Sequence, residues 1–451
     1  MVRDRIWIDR RALLGGVFAL ASASAVQSAT KGNSQSLRAP EPAPLLSGAS
    51  AAPTGFMWGV ATAGHQIEGN NINSDCWVLE NVKPTIYKER SGDACDSYHR
   101  YEEDITLLKS FGFNSYRFSI EWSRIEPTPG QFSNAELDHY KRVIDACVSC
   151  GIHPAVSFNH VTVPIWFAAS GGFLRPDGPD LFARYCGVAA RHLADGMSMA
   201  FTLNEPQGGR IKRWLPSSFL KDRPQSMVDA MAAAAAKATG SDRWVSGITW
   251  DEARVLEPLL ESHKKAVAAI KAVRGGLPVG VTLAIIDYQS AGPGSRVEDV
   301  RHDVDGAWLE AAKVGDFVAV QNYGRFLIDN NGVTESSNDE TQLHPESLGN
   351  VVRFAHHATG KAVLVSENGL ETNDDARRIQ YIDGAIASLG RAMSGGVPVL
   401  GYFHWSLLDN FEWDSGYDSK FGLVEVDRAT FERKPKPSAR YLGAIAQRNR
   451  L

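Results

Sequence analysis

Cysteine is scarce in this chain: Cys76, Cys95, Cys147, Cys150 and Cys186 are the five among 451 residues. Cys147 and Cys150 have CxxC spacing, but no second pair or histidine follows at zinc-ligand spacing, which argues against a structural zinc site. The pair falls in a helical pattern, where side chains three apart share a face, so both read as small core residues. Cys76 and Cys95 could pair in an oxidising compartment. An excess of one charge is also missing. The net charge is −5, with acids and bases mixed throughout and no basic stripe, which argues against nucleic acid as a partner. Beyond the first 26 residues no stretch is long and apolar enough to cross a bilayer, which takes roughly 20 residues. Short solenoid-type repeats are absent as well. With 43% hydrophobic and 22% charged residues, the composition is that of an ordinary globular protein with a large core.

The amino terminus has the marks of an export signal. Arg3, Arg5, Arg10 and Arg11 form a basic start, an apolar stretch runs from Ala12 to Val26, and Ala23-Ser24-Ala25 offers a small-residue cleavage site. Arg10-Arg11 before Ala12-Leu13-Leu14 is similar to a bacterial twin-arginine signal, which implies the periplasm as destination. Residues 26–52, rich in Ala, Ser and Pro, read as a disordered linker. The expected organisation is a signal over 1–25, this linker, and one domain over 53–451.

From Phe56 onward short apolar runs alternate with amphipathic stretches. The runs predict strands over Phe56–Thr62, Asn114–Ser119, His153–Phe158, Met199–Leu203, Val279–Ile285, Phe317–Gln321, Ala362–Ser366 and Val399–Phe403. Helical patterns lie between them, with a last one over Ser438–Arg448. Eight strand–helix alternations predict an α/β fold, a single (β/α)8 TIM barrel. An open doubly wound sheet is the alternative, weakened because no glycine-rich dinucleotide loop follows the first strand.

Such a barrel carries its chemistry at the carboxyl ends of the strands. There the sequence places His65, Gln66, Glu68, Arg117, Asn159, His160, Asn204, Glu205, Asp287, Tyr288, Asn322, Tyr323, Glu367, His404, Trp405, Asp409, Glu412 and Trp413. Glu367 ends the apolar run Val363-Leu364-Val365 and precedes the Asn368-Gly369 turn. By itself it could equally be a carboxylate capping a loop or pairing with an Arg. Glu205 and Glu367 would meet across the mouth from strands 4 and 7. Paired carboxylates among Trp rings and amides suit glycoside hydrolysis. One protonates the leaving oxygen, and the other attacks the anomeric carbon or activates water.

Six segments then carry a resemblance. Phe56-Met57-Trp58-Gly59-Val60-Ala61-Thr62-Ala63-Gly64-His65-Gln66-Ile67-Glu68-Gly69 resembles the amino-terminal signature of glycoside hydrolase family 1. Tyr116 to Arg124, Thr202-Leu203-Asn204-Glu205-Pro206, Val365-Ser366-Glu367-Asn368-Gly369, His404 to Trp413 and Phe421-Gly422-Leu423-Val424 resemble its other motifs, in order. The resemblance implies a retaining β-glycosidase of β-glucosidase type acting on a small carbohydrate or glycoside, with no cofactor or metal. It implies Glu367 as nucleophile and Glu205 as acid/base, with Arg117 and Tyr323 orienting the nucleophile. Asn204 would hold the sugar 2-hydroxyl. Gln66, His160, Trp405, Glu412 and Trp413 would line the non-reducing sugar subsite.

The chain also departs from the family pattern. His160-Val161-Thr162-Val163-Pro164 stands where the family has His-Trp-Asp-Leu-Pro. Gln321-Asn322-Tyr323 stands for Asn-Tyr-Tyr, and residues 207–250 do not resemble the usual loop after the acid/base. Three alternatives use the same scaffold. A 6-phospho-β-glycosidase is disfavoured by Glu412, which would repel a 6-phosphate. A non-catalytic sugar-binding protein is disfavoured by the presence of both carboxylates. A transglycosylase would use the same residues with an alcohol in place of water.

Overall fold

The computed structural model describes residues 51–220, 223–249, 252–338 and 342–451. The expected signal over 1–25 and the linker up to residue 50 lie outside them. The last two residues assigned to the linker are not loose. Ala51 bridges Arg450, and the Ala52 N–H donates to the Asn449 carbonyl at 2.9 Å.

Eight parallel strands close a barrel: β1 (Met57–Ala61), β2 (Ser115–Ser119), β3 (His153–Ser157), β4 (Met199–Asn204), β5 (Val279–Ala284), β6 (Phe317–Asn322), β7 (Ala362–Asn368) and β8 (Val399–Trp405). Each neighbours the next in sequence, and β8 closes on β1 with Met57 beside Gly401 and Ala61 beside Trp405. The strands are buried along almost their whole length, as expected where helices cover the outside.

The covering helices are α1 (Ser97–Phe111), α2 (Asn134–Ser149), α3 (Gly178–Leu193), α4 (Glu252–Val273), α5 (Ala307–Ala312), α6 (Ser347–Thr359), α7 (Asp375–Ser394) and α8 (Pro437–Arg448). Their limits follow local chemistry. At α2 the Ser133 hydroxyl accepts the Glu136 N–H at 3.3 Å, and Gly112 ends α1 at a φ of 97°. On α3 Phe182, Tyr185, Cys186, Ala189, Ala190 and Leu193 recur at helical spacing and are buried in the hydrophobic core.

Two elements differ from the sequence reading, and the cysteine pairing it left open is not formed. α5 is the end of a longer rod that begins at Val297–Arg301 and passes through a π-helical turn, His302–Gly306. Residues 225–238, inside the segment with no assigned structure, form a helix. Its Ala-rich centre favours helix but lacks the apolar stripe by which helices are recognised. Cys76 and Cys95 are both free thiols, and Cys95 Sγ lies 3.6 Å from the Asp409 carbonyl.

The barrel interior is packed by Met57, Ala155, Met199, Phe201, Phe317, Ala319, Leu364 and Phe403. Phe201 and Phe317 meet edge to face at 5.6 Å. Room for these rings comes from glycine: a Cβ on Gly59 would lie 2.5 Å from the Phe403 ring, and one on Gly280 would lie 2.6 Å from that of Phe317. This packed floor supports the polar layer above it. Gly280→Ala is expected to lower the unfolding free energy by about 1–3 kcal/mol through overpacking. The measurement is the urea midpoint at unchanged m-value.

Candidate active site

Both carboxylates sit just past irregularities in strand pairing. Between β4 and β5, Phe201 pairs with Gly280 and Asn204 with Thr282, so β4 advances three residues while β5 advances two. Between β6 and β7, Val320 pairs with Val365 and Gln321 with Glu367, which makes Ser366 the extra residue. Such bulges bend a strand and re-aim the side chains that follow. Glu205 then takes a φ of 48°, a left-handed conformation that a non-glycine residue adopts only when its surroundings hold it.

Glu367 is buried and fully served by donors. Oε1 accepts from Arg117 Nη1 and from Gln321 Nε2 at 2.7 Å, and Oε2 accepts from the Tyr323 hydroxyl at 2.6 Å. The same donors organise Asn204. Its Oδ1 accepts from Arg117 Nη2 at 2.6 Å, Gln321 Nε2 at 2.7 Å and Thr282 Oγ1 at 2.9 Å. The Asn204 amide nitrogen is thereby turned toward His160, whose Nε2 lies 3.4 Å away. Arg117, fully buried, rests over the Phe201 ring at 5.2 Å.

Glu205 has the opposite environment. Its Oε1 is buried with no hydrogen-bond partner among the described residues. Burial, and then the charge of Glu367, push its carboxyl well above the usual carboxylate range, and Arg117 offsets only part of this. Burial raises Glu367 too, opposed by Arg117 and by the Tyr323 hydrogen bond. Of the two, Glu205 is the carboxyl that favours its protonated form, since Glu367 has donors that stabilise an anion.

The remaining residues form a wall beside this pair. Gln66 Nε2 donates to Glu412 Oε2 at 3.2 Å and to the Phe411 carbonyl at 2.9 Å, while Trp405 Nε1 donates to Glu412 Oε1 at 3.1 Å. The His160 ring lies nearly parallel to Trp405, at 5.6 Å and 15°, and to Trp413, at 6.3 Å and 12°. Burial and then Arg117 hold His160 neutral, with a pKa well below its ordinary value. Gln66 Oε1 and His160 Nδ1 are buried polar atoms without a partner among the described residues. With Glu205 Oε1 they are buried atoms with hydrogen-bonding capacity left for a hydroxyl-rich ligand, since each would otherwise lose its hydration uncompensated.

Not every strand-end residue joins this layer. Asp287 and Tyr288 belong to a separate two-stranded sheet with Arg325–Ile328, where Asp287 accepts from Gln289 and Asn350, each at 2.7 Å. Glu68 pairs with Arg124 at 2.8 Å, Asp409 with Lys436 at 2.8 Å, and the Asn159 amide braces the Thr162 carbonyl at 2.8 Å. His404 is buried beside Tyr402, its pKa pushed down to about 3 by burial. Sequence reasoning noted Gln321 only as a departure and passed over Thr282, although the two bind the centre together. The available signal was a polar side chain near the carboxyl end of an otherwise apolar run.

Where the family has an indole, Val161 holds a φ of 69°, and its carbonyl would lie 2.7 Å from a Cβ on Gly247. The 207–250 segment therefore packs against this edge of the site. It is tied down by the Val245 N–H on the Ala168 carbonyl at 3.0 Å and by Arg223 on Asp414 at 3.4 Å.

These features agree with comparisons to known proteins. The family model described as Glycosyl hydrolase family 1 matches residues 49–246 and 304–451. Beta-glucosidase A of Acetivibrio thermocellus is 30% identical over 88% of this chain and 98% of its own length. Among solved structures, one titled as the apo form of a beta-glucosidase 1317 superposes with a TM-score of 0.83 at 43% identity, over 87% of this chain and 98% of its own. Another, titled beta-glycosidase BGL167, superposes with a TM-score of 0.81 at 45% identity, over 88% and 97%. With a family match over most of its length and both carboxylate motifs at the barrel mouth, this chain belongs to glycosyl hydrolase family 1.

Proposed function

We propose that the chain is a retaining β-glucosidase that works by double displacement, with Glu367 as nucleophile and Glu205 as acid/base. The observation that carries this reading is the contrast between the two carboxyls: Glu367 is served by Arg117, Gln321 and Tyr323, while Glu205 Oε1 has no partner among the described residues. The names of the relatives, beta-glucosidases among them, support the glucoside as substrate.

In the first step a Glu367 oxygen forms a bond to the anomeric carbon as the glycosidic C–O bond breaks. Glu205 passes its proton to the departing oxygen, which leaves as the alcohol. Glu205, now anionic, takes a proton from water. The resulting oxygen nucleophile attacks the anomeric carbon, displaces Glu367, and returns Glu205 to the acid form. Two inversions give net retention. As sugar charge develops, the Asn204 amide nitrogen, oriented by the three donors on its carbonyl and facing His160 with one hydrogen, has its second hydrogen to give to the 2-hydroxyl. Gln66 and Glu412 offer bidentate contacts to hydroxyls farther along the ring, and Trp405 and Trp413 offer apolar faces.

The stereochemistry is checked by time-resolved proton NMR of an aryl β-glucoside digest. The β-anomer of glucose is expected first, and a first-formed α-anomer would overturn the mechanism. Glu367→Gly is expected to abolish turnover, with added azide restoring product as the α-glycosyl azide. Glu205→Ala is expected to slow substrates with poor leaving groups by about 10²- to 10⁴-fold while activated aryl glucosides lose far less. Equal losses for both would contradict the acid role.

The pH profile of kcat/KM follows from the same pair. The raised pKa of Glu205 keeps its acid form present to higher pH, so activity falls as pH rises through that pKa. Glu367 acts as the anion, so activity falls as pH drops through its pKa, which lies above its ordinary value. Glu205→Gln is expected to remove the basic limb of kcat for activated substrates and leave the acidic limb in place.

A further inference from the structure

One buried histidine beside the sugar wall has no part in the mechanism above. His65 is 1% exposed and lies on the short helical turn Gly64–Ile67, next to Gln66. Its Nε2 is 3.1 Å from Glu80 Oε1, with the oxygen off the N–H axis, so the contact is one of charge more than of direction. Glu80 is itself locked: Oε1 accepts the Ser91 hydroxyl at 2.8 Å, and Oε2 accepts the Ser91 backbone N–H. On the other side of the ring, Nδ1 lies 3.3 Å from the Ser74 hydroxyl, which can accept its proton. Asn71 Nδ2 is 3.4 Å from the same nitrogen but gives a proton to Glu121 at 2.8 Å.

The face of this ring is turned to the sugar wall. His65 and Trp413 lie parallel at 5° with centroids 5.7 Å apart, and Phe411 meets His65 edge-on at 6.0 Å. An aromatic face attracts a cation placed within about 6 Å, more strongly when both are desolvated. Trp413 needs such support. Its φ is 47°, a conformation that persists only when surrounding contacts over-determine it. The turn that carries it is closed by the Glu412 N–H on the Gly416 carbonyl at 2.7 Å and by the Gly416 N–H on the Trp413 carbonyl at 3.0 Å. The Gly64–Ile67 turn thus touches this segment twice, with Gln66 on Glu412 and His65 on Trp413.

We propose that His65 is a positioning residue of the glycone subsite: an imidazolium held by Glu80 that fixes the indole of Trp413, and with it the Glu412–Trp413 turn, for sugar binding. This rests on the reading of Glu412 and Trp413 as sugar contacts. The groups whose charge bears on His65 are Glu80 and Asp75 from the helix Asp75–Asn81 and Glu121 beyond β2. All three are acids, and together they favour the charged ring against its burial, the largest opposing influence. Charge is therefore present below the His65 pKa and lost as pH rises through it. Sugar binding weakens with that loss, separately from the titration of Glu205, which acts on the chemical step.

The test compares the full-length enzyme with His65→Phe, which keeps a ring against Trp413 without charge, and with Glu80→Gln, which removes the anion. KM for 4-nitrophenyl β-D-glucoside and the dissociation constant of D-glucose, read by tryptophan fluorescence, are followed against pH. In the unaltered enzyme both are expected to rise about tenfold as pH climbs through the His65 pKa, while the basic limb of kcat stays with Glu205. His65→Phe is expected to give weak binding that is flat with pH, and Glu80→Gln to move the rise to lower pH. His65→Gln serves the same purpose should the larger ring fail to fold. Binding profiles of the variants that superpose on that of the unaltered enzyme would overturn the proposal. Absence of any glucoside hydrolysis would instead fault the proposed activity, and the glucose binding curve would still decide the role of His65.

Discussion

A single guanidinium holds the catalytic layer together. Arg117 is completely buried, with its face over Phe201 and one terminal nitrogen on each of Glu367 and Asn204. A buried cation without partners would be prohibitive, and a buried carboxylate equally so. Each makes the other tolerable, and Gln321, Thr282 and Tyr323 complete the set. The network favours an anion at Glu367, while Glu205, left outside it, favours its protonated form. The two carboxyls are one residue type. Their difference lies wholly in which donors the barrel supplies.

The geometry that aims these groups comes from irregularity in the sheet. A closed barrel of identical registers would alternate its side chains strictly between the interior and the helices. The extra residue on β4 before Asn204, and Ser366 on β7, break that alternation at two strand ends, which are the two that bear the carboxylates. Strain follows function around the same mouth. Glu205, Val161 and Trp413 all hold positive φ, and each is seated by contacts from another part of the chain. Below them the floor is packed with rings fitted against glycine, which gives the polar layer a rigid base.

Much of this was legible in the residues. The eight apolar runs lie within a residue or two of the observed strands, because buried parallel strands are continuous apolar stretches bounded by polar ends. Glu205, Glu367, Arg117, Tyr323, Asn204, Gln66, His160, Trp405, Glu412 and Trp413 do gather at one mouth. Asp287 and Tyr288 do not, since the chain leaves β5 and at once forms a second small sheet. The helix at 225–238 escaped notice because an alanine run carries propensity without a face.

Sequence by itself determined the barrel, the strand ends that bear its chemistry, and the residue types available there. Periodicity and burial are local consequences of side-chain hydrophobicity, so the order of strands and helices can be read along one dimension. Tertiary structure alone decided that Glu367 is surrounded by donors while Glu205 Oε1 is left without one among the described residues, because that depends on groups brought from β2, β5 and β6 to a common point. It also decided that Gln321 belongs to the centre and that His65 stacks on Trp413. Hydrogen-bond and charge interactions fade within a few ångströms, and only closure of the barrel brings residues hundreds apart in sequence within that range.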